Sequence, residues 1–463
     1  MKEQFSLPLH PAMEFALSVE SDGYPKTDYS QIQFRGMLDT QAFIEAFNER
    51  IADFPIAHCV IEQRREGAIY RTYWVPKGSR PNQLIVQDCR HMMPEPPDPV
   101  EFIQEYHEQR IGRRLNLHEE HPIQFYLLRI ADDVHLLSIV YHHIAVDAAM
   151  GYEFIKDILA RYHEKVTGRK PSWAEALAIG SDARQTNYAT AQPAWQFVRE
   201  QLTELFLRSR GQVSQIASSG RRDAFGRYCF RAIFDPTGPA GMKAVAKRND
   251  ATLGDVIGAS IARSIGAWDR EHGLKEEKIR ALLAVNVRNR LPLGASVGVA
   301  LSGIMVRVQR PDRLSLDEAV RVFRDTRKDQ LARGVDIAYH KMLETLSSSM
   351  RVLPVSVRGA VVRRILALPV TFILSNIGVM WPKVVDGRLT GESAVTRAGK
   401  IEIDDIHSCP SMSPDVGMGV ITRTLGGRFF INYSCDRLRF QKGEARELTD
   451  RITAGLAAMA GEA

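Results

Sequence analysis

The stretch PIQFYLLRIADDVHLLSIVYHHIAVDA, residues 122–148, contains two apolar runs separated by the polar turn ADD. Apolar runs of this length on either side of a short polar turn predict a β-hairpin. The second run ends in the adjacent His142 and His143, and Asp147 follows four residues later, where helical spacing begins. The motif therefore belongs to a loop between a strand and a helix, where a rigid scaffold commonly presents functional side chains.

A strand and a helix are predicted upstream of this hairpin. Polar and apolar residues alternate within residues 29–39, which is typical of a half-buried strand. Apolar residues then recur every four positions from Phe43 to Ile51, which predicts one face of a helix that begins at Asp39 or Thr40. Downstream of the motif, helical spacing at 154–159 predicts a further helix.

The length of 463 residues favours two domains, because single cores seldom grow beyond about 250–300 residues. Residues 171–225 are rich in Ser, Ala and Gly, so we interpret them as a connection between an N-terminal part, 1–170, and a C-terminal part, 226–463. Later strands are predicted at 227–235, 278–292, 302–310, 370–378 and 427–438, and helices at 239–250, at 252–273 with Thr252 as N-cap, and at 442–461. Helices and strands interleave, so the fold class is α/β or α+β.

Composition and charge exclude several classes of protein. Apolar residues make up 44% and charged residues 25% of the chain, which is ordinary for a globular protein. The net charge of +6 is modest for this length and favours an acidic substrate or carrier over nucleic acid. Five scattered cysteines without a CxxC pair predict a reduced, cytoplasmic protein. We expect neither a signal peptide nor a membrane-spanning helix, while peripheral membrane contact stays open.

The residue types of the motif suit proton transfer. An imidazole with a pKa near ~6.5 can take a proton from a hydroxyl or amine at neutral pH, so that the substrate itself becomes the nucleophile. A structural interpretation competes with this one, in which His142 is a strand-end residue bonded to the backbone and Asp147 is a helix N-cap. A metal site with His118 or His121 is disfavoured, because the motif lacks the helical H-x-x-x-H spacing.

The surroundings of the motif resemble the condensation-domain superfamily. That superfamily includes peptide-synthetase condensation domains, chloramphenicol acetyltransferase, alcohol acetyltransferases, wax ester synthases and polyketide-associated acyltransferases, and its motif is HHxxxDG. The strand and helix at 31–55 resemble its opening unit, and MKAVAKRNDATLGDVI at 242–257 resembles the helix pair of its second half. VNVRNRLP at 285–292 and LSNIG at 374–378 resemble two of its later strands. The resemblance covers nearly the whole chain in the expected order.

The resemblance implies two chloramphenicol-acetyltransferase-like lobes, with mixed sheets covered by helices and an active-site tunnel between the lobes. It implies a catalytic set of His143, His142 and Asp147, in which His143 is the general base. Asp147 is expected to be structural and paired with Arg288 or, alternatively, Arg290. Oxyanion support is expected from Ser375 or Asn376, although Asn376 and Gly378 can also simply form a turn. One residue departs from the motif, because Ala148 replaces the usual glycine. We expect this alanine to be tolerated where the backbone is helical.

The resemblance also implies a thioester donor, either acyl-CoA or an acyl carrier protein, with no tightly bound cofactor and no metal. Arg351, Arg358, Arg363 and Arg364 are candidates for binding the donor's phosphates, or else they cover an outer helical face. The acceptor is a hydroxyl or an amine, with ester formation favoured, in secondary metabolism or lipid metabolism. The alternative is a non-catalytic docking module that recruits a carrier protein or an assembly-line enzyme. We expect a monomer that does not bind nucleic acid.

Overall fold

The computed structural model describes residues 6–78, 82–92, 102, 106, 114–174, 213–219, 226–274, 278–287, 301–354, 357–361, 369–385, 388–414 and 416–459. Its helices are α1 (Pro11–Val19), α2 (Thr40–Ala52), α3 (Ala148–Thr167), α4 (Thr237–Arg248), α5 (Leu253–Glu271), α6 (Leu316–Ala332), α7 (Val335–Ser349) and α8 (Lys442–Ala457). Its strands are β1 (Leu7–Pro8), β2 (Thr27–Gly36), β3 (Cys59–Glu66), β4 (Ile69–Pro76), β5 (Leu84–Asp88), β6 (Ile123–Arg129), β7 (Val134–His142), β8 (Arg227–Phe234), β9 (Lys278–Asn286), β10 (Leu301–Gln309), β11 (Val370–Val379), β12 (Pro382–Val385), β13 (Arg388–Ser393), β14 (Arg397–Ala398), β15 (Ile401–Cys409), β16 (Val416–Leu425) and β17 (Arg428–Asp436).

Two six-stranded mixed sheets, each packed against helices, form the two lobes. The first has the strand order β14-β15-β2-β7-β6-β5 and the second the order β10-β9-β11-β16-β17-β8. In the first sheet β5 and β6 run parallel while the other neighbours are antiparallel, and in the second β11 runs parallel to both β9 and β16. This confirms the expected α/β class and the two-lobed architecture.

The two lobes are interlocked through the C-terminal half of the chain. Strands β14 and β15 leave the second lobe and extend the first sheet, with β15 pairing antiparallel to β2. The chain then crosses back through residues 410–414 and enters β16 of the second sheet. Residues 175–212 and 220–225, most of the expected connection, lie outside the described part of the chain, so the boundaries near 170 and 226 stay predictions.

The local patterns explain the elements that frame the motif. Helix α2 buries its four-residue stripe and is capped by Asp39, whose Oδ1 accepts a hydrogen bond from the Ala42 amide at 3.0 Å. Helix α5 begins with the predicted N-cap Thr252, which forms a reciprocal capping box with Asp255. Within the described residues, no helix has both the length and the apolar character needed to cross a membrane.

The cysteines differ from the expectation of a fully reduced chain. Cys229 in β8 and Cys409 at the end of β15 form a disulfide bond, with their Cα atoms 5.8 Å apart. Cys59, Cys89 and Cys435 are free and buried. A separation of 180 residues gave no local signal for this pairing, because only the packing of the two sheets brings the sulfurs together.

Candidate active site

The HHxxxD motif joins β7 to α3, as its spacing predicts. Strand β7 is central in the first sheet, between β2 and β6, and all nine of its residues are buried. Asp147 is the N-cap of α3, and its Oδ1 accepts a hydrogen bond from the Met150 amide at 3.0 Å. Ala148 is the first helical residue, without the positive φ that would call for glycine. The backbone here therefore accommodates alanine.

His142 is anchored through both ring nitrogens. Its Nδ1 accepts a hydrogen bond from the Ile144 amide at 3.3 Å, and its Nε2 lies 3.1 Å from Oε1 of Glu20. A ring that accepts at Nδ1 and carries its proton on Nε2 satisfies both contacts. Since His142 is also fully buried, its position suits a structural support and not a base that meets substrate.

Glu20 is a buried carboxylate that ties several segments together behind the motif. It also accepts hydrogen bonds from the Lys26 amide at 2.9 Å and from Nε of Arg114 at 2.7 Å. Burial by itself would raise the pKa of Glu20, but the hydrogen bond and charge interaction with His142 lower it below its usual value. Glu20 therefore stays ionised and holds His142 in place.

His143 has a different environment from its neighbour. About a quarter of its side chain, 26%, is exposed, and its Nδ1 lies 2.8 Å from Oδ2 of Asp28, which is only 5% exposed. An ionised carboxylate can only accept hydrogen bonds, so the neutral His143 ring must carry its proton on Nδ1. This tautomer leaves Nε2 with the lone pair that a general base requires.

Asp28 and His143 shift each other's pKa. Burial alone would lower the pKa of His143, but the charge of Asp28 and the hydrogen bond to it raise the pKa above its ordinary value. Burial alone would raise the pKa of Asp28, whereas the interactions with His143, followed by the Arg227 guanidinium, lower it. The pair thus combines a permanent carboxylate with an imidazole that is a stronger base than a free one.

The crossing segment, residues 410–414, holds Asp28 from the side of the second lobe. The Ser411 amide donates a hydrogen bond to Oδ1 of Asp28. Arg227 donates to the carbonyls of Thr27 at 2.6 Å and Pro410 at 2.9 Å. The orientation of the His143 ring therefore depends on residues from both lobes.

Lys26 adds a second link between this segment and the motif. Its backbone carbonyl accepts a hydrogen bond from the His143 amide at 2.7 Å. Its Nζ donates to the Met412 carbonyl at 3.0 Å and to Ser413 Oγ at 2.6 Å. Burial lowers the pKa of Lys26 to about 8, so this cation is less firmly protonated than an exposed lysine.

Neither Asp28 nor Arg227 was identified from the sequence as a functional residue. The only local signal is a polar pair, Thr27 and Asp28, at the start of a strand. The antiparallel register of β2 with β7 places Asp28 opposite Tyr141 and so brings it within reach of His143. The register between these two strands cannot be inferred from the positions of Asp28 and His143 in the sequence.

The candidate site residues of the second lobe are only partly described by the structure. Arg288, Arg290, Arg363 and Arg364 lie outside the described residues, so their expected roles are open. Ser375 is half-buried near the C-terminal end of β11. Asn376 is exposed, and its Oδ1 accepts hydrogen bonds from the Gly378 amide and from Thr422 Oγ1, both at 3.1 Å. Both residues lie within strand β11, where a β-bulge shifts the register with β16 between Asn376 and Gly378, whose φ is 79°. The structure therefore shows a bulge and not the turn of the structural interpretation, and oxyanion support stays a prediction.

Arg351 and Arg358 are the two described arginines of the proposed donor-binding set, and both lie next to the buried carboxylate of Glu14. Arg358 is fully buried, donating to the carbonyls of Leu353 and Tyr70 at 2.8 and 2.7 Å, and it lies 3.7 Å from the Glu14 carboxylate. Because a guanidinium enclosed in this way cannot reach an external phosphate, the donor-binding interpretation of Arg358 is corrected to a structural one. Arg351 also binds Glu14, at 2.9 Å. Arg351 nevertheless lines a cavity of about 340 Å³ that adjoins the motif at Ile144.

Comparisons with known proteins show the family and the fold of the chain. The family model described as Condensation domain matches residues 25–262, a little over half of the chain. An isonitrile lipopeptide synthase of Mycobacterium tuberculosis (strain ATCC 25618 / H37Rv) is 30% identical over 148 residues, which are 31% of this chain and 5% of that protein. The chain therefore spans about one twentieth of the length of this curated relative.

Solved structures share the fold over almost the whole chain. The first condensation domain of the CDA synthetase has a TM-score of 0.70 at 16% identity, covering 99% of this chain and 97% of that one. TRI3 trichothecene 15-O-acetyltransferase from Fusarium sporotrichioides has a TM-score of 0.67 at 12% identity, covering 98% and 95%. The starter condensation domain of rhizomide synthetase RzmA, solved as a mutant in complex with C8-CoA, has a TM-score of 0.64 at 14% identity, covering 98% and 95%. The chain belongs to the condensation-domain family.

Proposed function

We propose that this protein is an acyltransferase that moves an acyl group from a thioester to a hydroxyl or amine acceptor, with His143 as the general base. The observation that carries the proposal is the pairing of His143 Nδ1 with the buried Asp28 carboxylate at 2.8 Å, in a ring that is still partly exposed. A base needs a fixed tautomer, a raised proton affinity and access to substrate. Membership of the condensation-domain family supports the same chemistry.

Because Asp28 binds Nδ1 of His143, the proposed reaction uses the other ring nitrogen, Nε2. His143 Nε2 takes the proton of the acceptor's hydroxyl or amine as its heteroatom attacks the thioester carbonyl carbon. The tetrahedral intermediate collapses, the carbon–sulfur bond breaks, and the imidazolium returns the proton to the leaving thiolate. No covalent acyl-enzyme forms, and Ser375 or Asn376 is the proposed hydrogen-bond donor to the oxyanion, a contact worth about 2.7–4 kcal/mol where such donors have been removed.

The donor we propose is acyl-CoA or an acyl group on a carrier protein, with transfer to oxygen preferred over nitrogen. Two structural neighbours support these choices, since one is an O-acetyltransferase and another was solved with an acyl-CoA. We also propose that the protein acts as a monomer in secondary metabolism or lipid metabolism. The Cys229–Cys409 disulfide removes the argument from reduced cysteines for a cytoplasmic location. Sedimentation giving a stable oligomer would contradict the monomer.

A thiol-release assay tests the proposed base. We expect wild-type protein to release free thiol from at least one of a panel of acyl-CoAs and acyl carrier proteins, in the presence of alcohol or amine acceptors. His143→Ala should lower that rate by about 10²–10⁴-fold, because this is the usual contribution of a general base. His91→Ala is the control, since His91 is exposed and follows the edge strand β5. Equal rates for His143→Ala and wild type would refute the assignment.

A docking module is the second candidate, and Ala148 in place of the motif's glycine motivates it. The helical conformation at Ala148 weakens that motive, because alanine fits there without strain. A docking module would bind a carrier protein equally well before and after His143→Ala and would consume no thioester from the panel. Acceptor-dependent turnover by wild type excludes it.

A further inference from the structure

A cluster of two histidines and one glutamate lies where α1 of the first lobe packs against α7 of the second. His10 is the N-cap of α1, while His340 and Glu344 are one turn apart on α7 and so share a face of that helix. The Nε2 atom of His10 lies 2.9 Å from Glu344 Oε1, and Nε2 of His340 lies 3.5 Å from the same oxygen. The two imidazole rings stack with centroids 5.6 Å apart.

We propose that His10, His340 and Glu344 bind a divalent zinc ion that clamps the N-terminal helix to the second lobe. One ligand atom from each residue lies within 4.8 Å of the other two. Zinc takes imidazole nitrogens and carboxylate oxygens at about 2.0–2.2 Å, so ligand atoms around a tetrahedral ion are about 3.3 Å apart. The two separations from the glutamate oxygen, 2.9 and 3.5 Å, bracket that value. The histidine ligand atoms lie within 4.8 Å of each other, so side-chain rotations that bring the two imidazoles closer together would complete the site.

The exposure of the three residues leaves room for a fourth ligand. His340 has only 2% of its side chain exposed, whereas His10 and Glu344 have 24% and 33% exposed. His10 also lines the cavity of about 340 Å³ that contains Ile144, the residue after His143. A water molecule from this cavity can complete a tetrahedral site, as in zinc centres with three protein ligands.

Metal binding replaces two contacts of His10. The direct contact of its Nε2 atom with Glu344 Oε1, at 2.9 Å, gives way to bonds from both residues to the ion. The His10 Nδ1 atom accepts a hydrogen bond from the Ala12 amide at 3.4 Å, which is longer than an ordinary bond to nitrogen or oxygen. A neutral His10 that coordinates zinc through Nε2 would carry its proton on Nδ1 and give up this contact. We expect the exchange to favour the metal, because coordination of a divalent cation by three residues replaces one long capping contact and one side-chain contact.

Zinc and cobalt titrations of the 463-residue chain without a polyhistidine tag test the proposal. We expect one equivalent of zinc per chain by elemental analysis after loading and dialysis, a rise in the unfolding temperature with zinc, and visible d–d absorption of four-coordinate Co²⁺. Glu344→Gln and His340→Gln should each weaken zinc binding by at least about 100-fold, the upper end of what loss of an outer-shell partner costs, because each removes a direct ligand. His91→Gln, which replaces an exposed histidine outside the cluster, should leave zinc binding unchanged.

The readouts do not depend on acyl transfer, so the zinc site and the proposed function can fail separately. Absence of stoichiometric zinc or cobalt in wild type would overturn the proposal. Equal zinc affinity in wild type, Glu344→Gln and His340→Gln would also overturn it, because the metal would then bind elsewhere. Should one variant fold poorly, the other variant still decides, since loss of the four-coordinate Co²⁺ spectrum in either folded variant places the metal at this cluster, and an unchanged spectrum overturns the proposal.

Discussion

His142 and His143 are neighbours in the sequence but are anchored by different carboxylates, Glu20 and Asp28. His142 uses both ring nitrogens inside the protein, whereas His143 uses Nδ1 and keeps a partly exposed ring. The difference in environment supports the roles we propose for them, structural support for the first and proton transfer for the second. In the proposed mechanism Asp28 acts through His143 and is therefore a positioning residue.

Asp28→Asn should change both the maximal rate of thiol release and its dependence on pH. The charge of Asp28 raises the pKa of His143, so the wild-type rate should fall as the pH drops through a value above the ordinary ~6.5. Without that charge the pKa of His143 falls, and the acid limb should move to lower pH. The maximal rate should fall by about 10²–10⁴-fold, because an amide that donates to Nδ1 stabilises the wrong tautomer.

A pH–rate profile of thiol release measures both effects of Asp28→Asn. Asp53→Asn is a matched control, because Asp53 binds Arg161 at the end of α2, away from the motif. A variant that loses rate while keeping the wild-type acid limb would mean that Asp28 does not set the pKa of His143.

At the scale of the element, α3 begins at the motif, and its first turn fixes the loop that carries His143. Asp147 caps this helix through the Met150 amide. A negative charge at a helix N-terminus also interacts favourably with the helix dipole. Asp147 is therefore expected to act through the shape of the loop, in agreement with the structural role that the resemblance implied.

Asp147→Ala should lower the free energy of unfolding by about 1 kcal/mol, because a lost N-cap leaves a helix amide unsatisfied. Asp147→Asn keeps a capping oxygen and should be close to wild type. Urea unfolding followed by circular dichroism compares the three proteins. An Asn variant as destabilised as the Ala variant would show that the charge of Asp147 matters more than its cap.

At the scale of the whole molecule, the crossing segment and β15 connect the two lobes beside the proposed base. Arg423 of β16 adds to the contacts between the two lobes. Its buried guanidinium donates hydrogen bonds to Tyr152 Oη and to Ser408 Oγ, the latter at 2.9 Å. Tyr152 belongs to the helix that follows the motif, and Ser408 to the strand borrowed by the first sheet. A change in how the lobes pack would therefore alter contacts on both sides of the HHxxxD loop, at Asp28 and Lys26 beside His143 and at Tyr152 in α3.

The Cys229–Cys409 disulfide should stabilise this arrangement. It closes a loop of 180 residues, and such bonds typically contribute about 2–4 kcal/mol by restricting the unfolded chain. Wild-type protein should unfold at lower urea concentration after reduction, whereas the double variant Cys229→Ala, Cys409→Ala should not respond to reductant. Titration of five free thiols in denatured, unreduced protein would contradict the bond, since the sequence contains five cysteines.

The residue pattern by itself determined the local elements. The hairpin of β6 and β7, the strand-to-helix position of HHxxxD, the buried stripe of α2 and the Thr252 cap were all predicted, because each depends on residues within one or two turns of each other. The order of the weak motifs also predicted the α/β class and the family. Helix α6 was not predicted, although its capping box, Ser315 with Glu318, carries a local signal.

Only the tertiary structure decided which distant residues meet His143. Asp28 reaches the His143 ring through the register of β2 with β7, and Asp28 is held in turn by Ser411 of the crossing segment. Arg227, in the edge strand of the second sheet, binds the carbonyls of Thr27 and Pro410 on either side of this contact. Strand register and sheet packing are set by the simultaneous burial of many side chains, so no single spacing in the sequence contains them. The same reason explains why the pairing of Cys229 with Cys409 and the meeting of His10 with His340 and Glu344 appear only in the folded chain.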